Sequence, residues 1–251
     1  MKARLTAYAG LQLRDYFLGR AVAVIVATAA ATWAYASTRG LTLSVFDSAG
    51  GIDARDRLEH AFEFVLATFA FIAAAVAAQG LVARHRARAY DRLLFSRRMR
   101  PVRFYGQGFV AAGIGAVMVA TAAAELYAVA VHPVSVVGVA GYVALTWLTI
   151  GGLAFALSTL TTFHVPLLGL AVGADFVLDH YSSGHGATDA ATRVIGVVQY
   201  FLPPAHVVAA LREPFARGLV VEFHELAWPV VFGIACLTVA VVLLRRRPFA
   251  S

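Results

Sequence analysis

Lysine is almost missing from this chain. Lys2 is the only one among 21 basic residues. A phosphate-binding loop of the G-x-x-x-x-G-K-[ST] type needs a lysine to reach the β/γ-phosphates. The chain therefore has no nucleotide site of that kind, and ATP-driven work would need a separate subunit. Cysteine is equally scarce. Cys236 stands alone, which excludes an intrachain disulfide and argues against redox chemistry. No H-E-x-x-H metal motif occurs. There is no fixed-period repeat, no low-complexity tract and no stretch long enough for a soluble domain beyond a loop. Charge of either sign is thin, at 14% of residues.

What fills the chain is apolar. Hydrophobic types make up 60% of it, a share that soluble domains rarely reach at so low a charge. Six runs read as membrane spans: Ala21–Tyr35, Phe62–Val82, Tyr105–Val131, Val136–Leu160, Val165–Leu178 and Trp228–Leu244. Most come near the roughly 20 residues needed to cross a bilayer core, and the fifth is short. The expected fold is all-α: a polytopic membrane protein of six helices, forming one domain over residues 1–251.

The arginines set the expected orientation. Lys2, Arg4, Arg14 and Arg20 precede the first run. Arg84, Arg86, Arg88, Arg92, Arg97, Arg98, Arg100 and Arg103 follow the second, and Arg245, Arg246 and Arg247 follow the sixth. These fifteen fall on one side of a six-span topology, leaving Arg39, Arg55, Arg57, Arg193, Arg212 and Arg217 on the other. The positive-inside rule then places both termini in the cytoplasm, as an even span count also requires, in the cell (inner) membrane. The basic excess reads as a topology signal facing anionic lipid. It does not read as a nucleic-acid surface, because no exposed aromatics interleave with the arginines.

Residues 3–17 alternate Leu5, Tyr8 and Leu11 with Arg4, Gln12 and Arg14, and residues 1–20 are expected to form an interfacial helix. They do not read as a cleavable signal. Residues 38–60 are expected as an outer loop, broken by Gly50 and Gly51. The segment 84–103 holds no glycine and reads as a short cytoplasmic helix ended by Pro101. Residues 179–227 are expected outside. Asp179–Asp189 would be loop, and Val194–Leu211, split by Pro203-Pro204, would be two short helices dipping into the outer leaflet.

Three sets of residues are candidates for chemistry. Glu125 in the third run and Asp175 in the fifth are intramembrane acids that can mark a substrate or proton path, or simply reach the nearby interface. Glu63, at the mouth of the second run, reads as interfacial. His180 and His185 lie near Asp175, Asp179 and Asp189, types that suit zinc or copper, although a five-residue spacing does not share a helical face. Gly169-x-x-x-Gly173 lets helices approach closely, within one protomer or between two.

The order of these parts resembles the ABC-2-type permease family, the membrane subunits of type-2 ATP-binding-cassette exporters. The resemblance spans the whole chain. Locally, Asp91 precedes Leu93-Leu94, and Gly106-Gln107 stands where the family has Gly-Lys. Gly152-Leu153 with Ser158 resembles the end of the family's fourth span, and Leu202-Pro203-Pro204 resembles its outer-helix proline. Arg97 stands where the family carries a proline. The resemblance implies a non-enzymatic transport subunit paired with a second permease copy, identical or paralogous. Cytoplasmic ATPase subunits would bind ATP and Mg. It further implies coupling through Tyr90, Asp91, Leu93, Leu94, Arg97 and Arg98, and a dimer seam at Gly169 and Gly173. Two other readings stay open: an ion-coupled carrier using Glu125 or Asp175, and a membrane-embedded metal enzyme using His180 and His185.

Overall fold

The computed structural model describes residues 19, 21–38, 52–78, 82, 101–183 and 189–246. Every element among them is helical: α1 Val22–Thr38, α2 Ile52–Ala78, α3 Pro101–Ala130, α4 Val136–Leu160, α5 His164–Ser183, α6 Asp189–Gln199, α7 Ala205–Ala210, α8 Arg212–Arg217 and α9 Phe223–Arg246. The interfacial helix expected at 1–20 and the coupling residues Tyr90, Asp91, Leu93, Leu94, Arg97 and Arg98 lie outside the described residues, apart from Gly19.

Among the described residues four helices are long and apolar enough to cross a membrane: the Glu59–Val76 part of α2, then α3, α4 and α9. They mark the chain as a membrane protein. The other two expected spans differ from this standard for separate reasons. The apolar part of α1, Val22–Ala34, is short. Helix α5 has 20 residues, but Asp175, Asp179 and His180 dilute its apolar run.

Several expected boundaries are corrected. Helix α2 begins at Ile52, inside the stretch expected as loop. Pro101 opens α3, where a first-turn residue needs no N–H partner, and the helix expected before it lies outside the described residues. Helix α5 runs on to Ser183, through part of the expected Asp179–Asp189 loop. Val194–Leu211, expected as two short helices, holds the end of α6 and all of α7, and a third short helix, α8, follows them.

Helix α4 is the hub of the packing, touching α2, α3, α5, α7, α8 and α9. Val139, Tyr142, Thr146 and Ala154 along it are fully buried. Ser135 caps it, its hydroxyl accepting from the Gly138 N–H at 3.0 Å. Midway, the helix widens into a π turn over Trp147–Gly151. There α9 comes closest. A Cβ on Gly233 would stand 2.6 Å from the Leu148 carbonyl oxygen, so only glycine fits. The Thr149 hydroxyl reaches across to the Pro229 carbonyl at 3.2 Å.

The short helices fold back onto α4. Helix α8 stops at Gly218, whose φ of 68° is the left-handed geometry glycine tolerates. The Leu219 N–H closes the turn on the Pro214 carbonyl at 2.8 Å. The Ser135 N–H donates to the Ala216 carbonyl at 2.8 Å, tying α8 to the loop between α3 and α4. A side chain at Gly138 would run into the Phe215 carbonyl oxygen. These contacts hold Arg217 at the end of the bundle opposite Arg245 and Arg246.

Candidate functional site

Two polar constellations and one cavity are built around that end. The first joins α5 to α7. Asp175 is fully buried, and its Oδ2 accepts from both the His206 backbone N–H and Nδ1, each at 2.8 Å. With Asp175 ionised its oxygens only accept, and the proton of the shared contact then lies on Nδ1. The other imidazole nitrogen, Nε2, stands 3.9 Å from Asp179 Oδ1. Asp175 Oδ1 is buried with no hydrogen-bond partner among the described residues. Pro203-Pro204 starts α7 one residue before His206, which is why the His206 N–H is free of a helical partner and available to Asp175. Asp175 is held inside, by a residue from the interrupted segment.

The second constellation surrounds Arg217. Its guanidinium lies 3.6 Å from Glu59, 3.6 Å from Glu63 and 3.3 Å from Glu213. Glu63, expected at the mouth of the second span, is 3% exposed and pairs with Arg217. His132 joins the cluster: its Nε2 lies 3.2 Å from Glu59, and its Nδ1 lies 2.9 Å from the Pro133 carbonyl. Arg212 and His60 also act electrostatically on Glu63.

A cavity of about 540 Å³ lies between α1, α2 and α3, with Ile25, Thr28, Trp33, Phe62, Phe69 and Ala120 among its walls. Phe62 also lines a cleft of about 30 Å³ together with Glu59, Glu63, His132 and Arg217. Its ring stacks on Tyr127 at a centroid distance of 4.2 Å.

The other sequence candidates fare differently. Glu125 is exposed on α3 and is not brought to Asp175 by any described contact. Gly169 and Gly173 are exposed on α5 with nothing within 4 Å of a built Cβ, so they pack against nothing in their own protomer among the described residues. His180 is exposed, its ring 6.5 Å from that of Tyr181. His185 lies outside the described residues, and among those described no three His, Cys, Asp or Glu side chains gather as a metal site. Sequence reasoning gave no role to His132, His206 or Arg217. The one local signal for Arg217 is the Arg-Gly pair that ends a helix.

Comparison of the chain with protein-family models, with curated proteins and with solved structures finds no match.

Proposed function

We propose that the chain is the membrane-spanning permease subunit of an ATP-binding-cassette transporter, driven by separate cytoplasmic ATPase subunits and paired with a second permease copy. The observation that carries this reading is the order of parts. Long apolar helices flank an arginine-rich segment after the second, and three short helices folded back on the bundle precede the last. With no lysine placed in a phosphate-binding loop, ATP-driven transport would draw its energy from another chain. The uncovered face of α5 at Gly169 and Gly173 suits a partner permease, since small residues let two backbones approach. The route would run between the two copies, exporting a substrate toward the side of Arg217, with both termini of the chain in the cytoplasm.

The test is affinity isolation of the tagged chain from its native membranes. An ATPase subunit should come with it, and Leu93→Ala/Leu94→Ala should lose that subunit while remaining inserted. Truncating such anchors typically costs over about 1 kcal/mol. Full complex formation by the double variant would leave 84–103 as a lipid-facing anchor only.

The buried Asp175–His206 pair favours a second reading, an ion-coupled carrier, since intramembrane carboxylate and imidazole chains serve as proton relays. Under it, uptake or efflux in proteoliposomes follows a proton or sodium gradient with no ATPase present.

A further inference from the structure

We infer that the cavity between α1, α2 and α3 takes an acyl chain, which enters sideways from the bilayer and is held by its hydrocarbon alone. The inference rests on the membrane setting of the long helices and on no transport reading.

The cavity, about 540 Å³, exists because three helices meet along two seams. Helix α1 packs on α2, and α2 packs on α3. Leu66 and Phe69 of α2 are buried at the back of the gap, as are Thr28 of α1 and Ala120 of α3. Small side chains keep it open: Ala29 on α1, and Ala120 and Ala123 on α3. Ile25, Ala29 and Trp33 follow one stripe of α1, and all three are exposed, as is Ala123. The mouth therefore lies on the flank of the bundle. From Ile25 to Trp33 it runs about 12 Å along the helix, at 1.5 Å per residue. The α2 walls, Phe62 to Phe69, fall within the crossing part of that helix, so the mouth opens at the depth of bilayer hydrocarbon.

The walls decide the occupant. Among the described residues they are aliphatic or aromatic except for Thr28 and Thr32, and none is charged. Both threonine hydroxyl oxygens are buried away from the open space, so these residues offer it carbon. Water is a poor occupant, since it needs about two to four polar partners and apolar cavities stay dry. A ligand carrying polar groups into the gap would lose their hydration with no hydrogen bond in exchange. An empty gap forfeits the dispersion contacts of its lining atoms. A hydrocarbon chain avoids all three costs, and the bilayer supplies it at the mouth. Its head group stays outside, where these walls cannot read it. Affinity should therefore follow the chain and ignore the charge of the head.

The probes are cis-parinaric acid and its methyl ester, which share one fluorescent chain and differ in charge. Binding to the full-length purified protein is followed by energy transfer from tryptophan. Bile-salt micelles bring no alkyl chain to compete, and protein-free micelles are subtracted. Both probes should saturate one site per chain, with affinities within about threefold of each other. Ala120→Phe puts a ring into the gap, and displacing even about two methylenes of the chain weakens binding about tenfold. If that variant is not monodisperse, Ala123→Phe at the exposed rim serves instead. Oleic acid and dioleoylphosphatidylcholine identify the source of the chain. Displacement by both makes a membrane lipid the occupant, and displacement by oleic acid alone makes it a free fatty acid. Displacement by neither overturns the inference, as does undiminished binding by the filled variant. Acid and ester differing by about tenfold or more would show that the site reads the head, and would overturn it too. So does the absence of saturable binding, which would mean that another part of the chain or a second copy fills the gap.

Discussion

Asp175 and His206 are joined twice: one carboxylate oxygen takes both the backbone and the ring N–H of a residue thirty-one positions away, each at 2.8 Å. The relationship explains how a helix carrying an aspartate in its apolar stretch can sit against the bundle. Helix α5 supplies the charge, and the start of α7 supplies two donors to it. Neither element accounts for the other alone.

His206→Ala should therefore destabilise the protein by about 3 kcal/mol, the lower end of the cost of breaking a buried ion pair, because the backbone donor remains. Asp175→Asn introduced into that variant should recover part of the loss, since the unpaired charge is gone. A double-mutant cycle on thermal unfolding in micelles measures the coupling. Strict additivity of the two changes would mean that the pair contributes nothing.

The glycines separate into two groups. Gly138→Ala should destabilise the fold, because the new methyl meets the Phe215 carbonyl and must push α8 away. Gly169→Ala and Gly173→Ala meet open space and should be neutral or stabilising by up to about 1 kcal/mol in the monomer, as alanine favours helix over glycine. Gly169→Leu/Gly173→Leu should leave monomer unfolding unchanged and weaken any dimer by on the order of 1–2 kcal/mol. Native mass measurement in detergent reads the second effect, and unfolding curves read the first.

Arg217 lies within 3.6 Å of each of Glu59, Glu63 and Glu213. Arg217→Met should cost on the order of 2 kcal/mol, chiefly from leaving Glu63 buried and unpaired. Adding Glu63→Gln should restore most of it. Unfolding midpoints of the single and double variants decide the matter.

Topology is tested by single cysteines at Ser48, Ser96, Ser183 and Ser251 in a variant lacking Cys236. In intact cells an impermeant thiol reagent should reach positions 48 and 183 and spare 96 and 251. Labelling at 96 would invert the orientation or change the number of crossings.

Much of the framework was legible in the sequence. Residues Val136–Leu160 form one continuous helix with the limits expected from the apolar run. Pro203-Pro204 does divide the segment before the last span. What misled was local chemistry read without neighbours. Gly50 and Gly51 marked a break, but the charged residues just after them already belong to α2.

By itself the sequence determined that the chain is helical and built for a membrane, because apolar run length is a local sum that no distant residue alters. It determined as well that no lysine is available for a phosphate loop. The tertiary structure decided the fate of the charges. Glu63 and Asp175 look alike in sequence, as acids at or inside apolar runs beside an interface. One is buried against Arg217 and the other against His206. Helix α5 falls short of a plain span on composition because composition counts Asp175 as a free charge. In the fold that charge is paired. The cost of burying a carboxylate depends on a partner a few ångströms away in space, and the distance along the chain does not encode it.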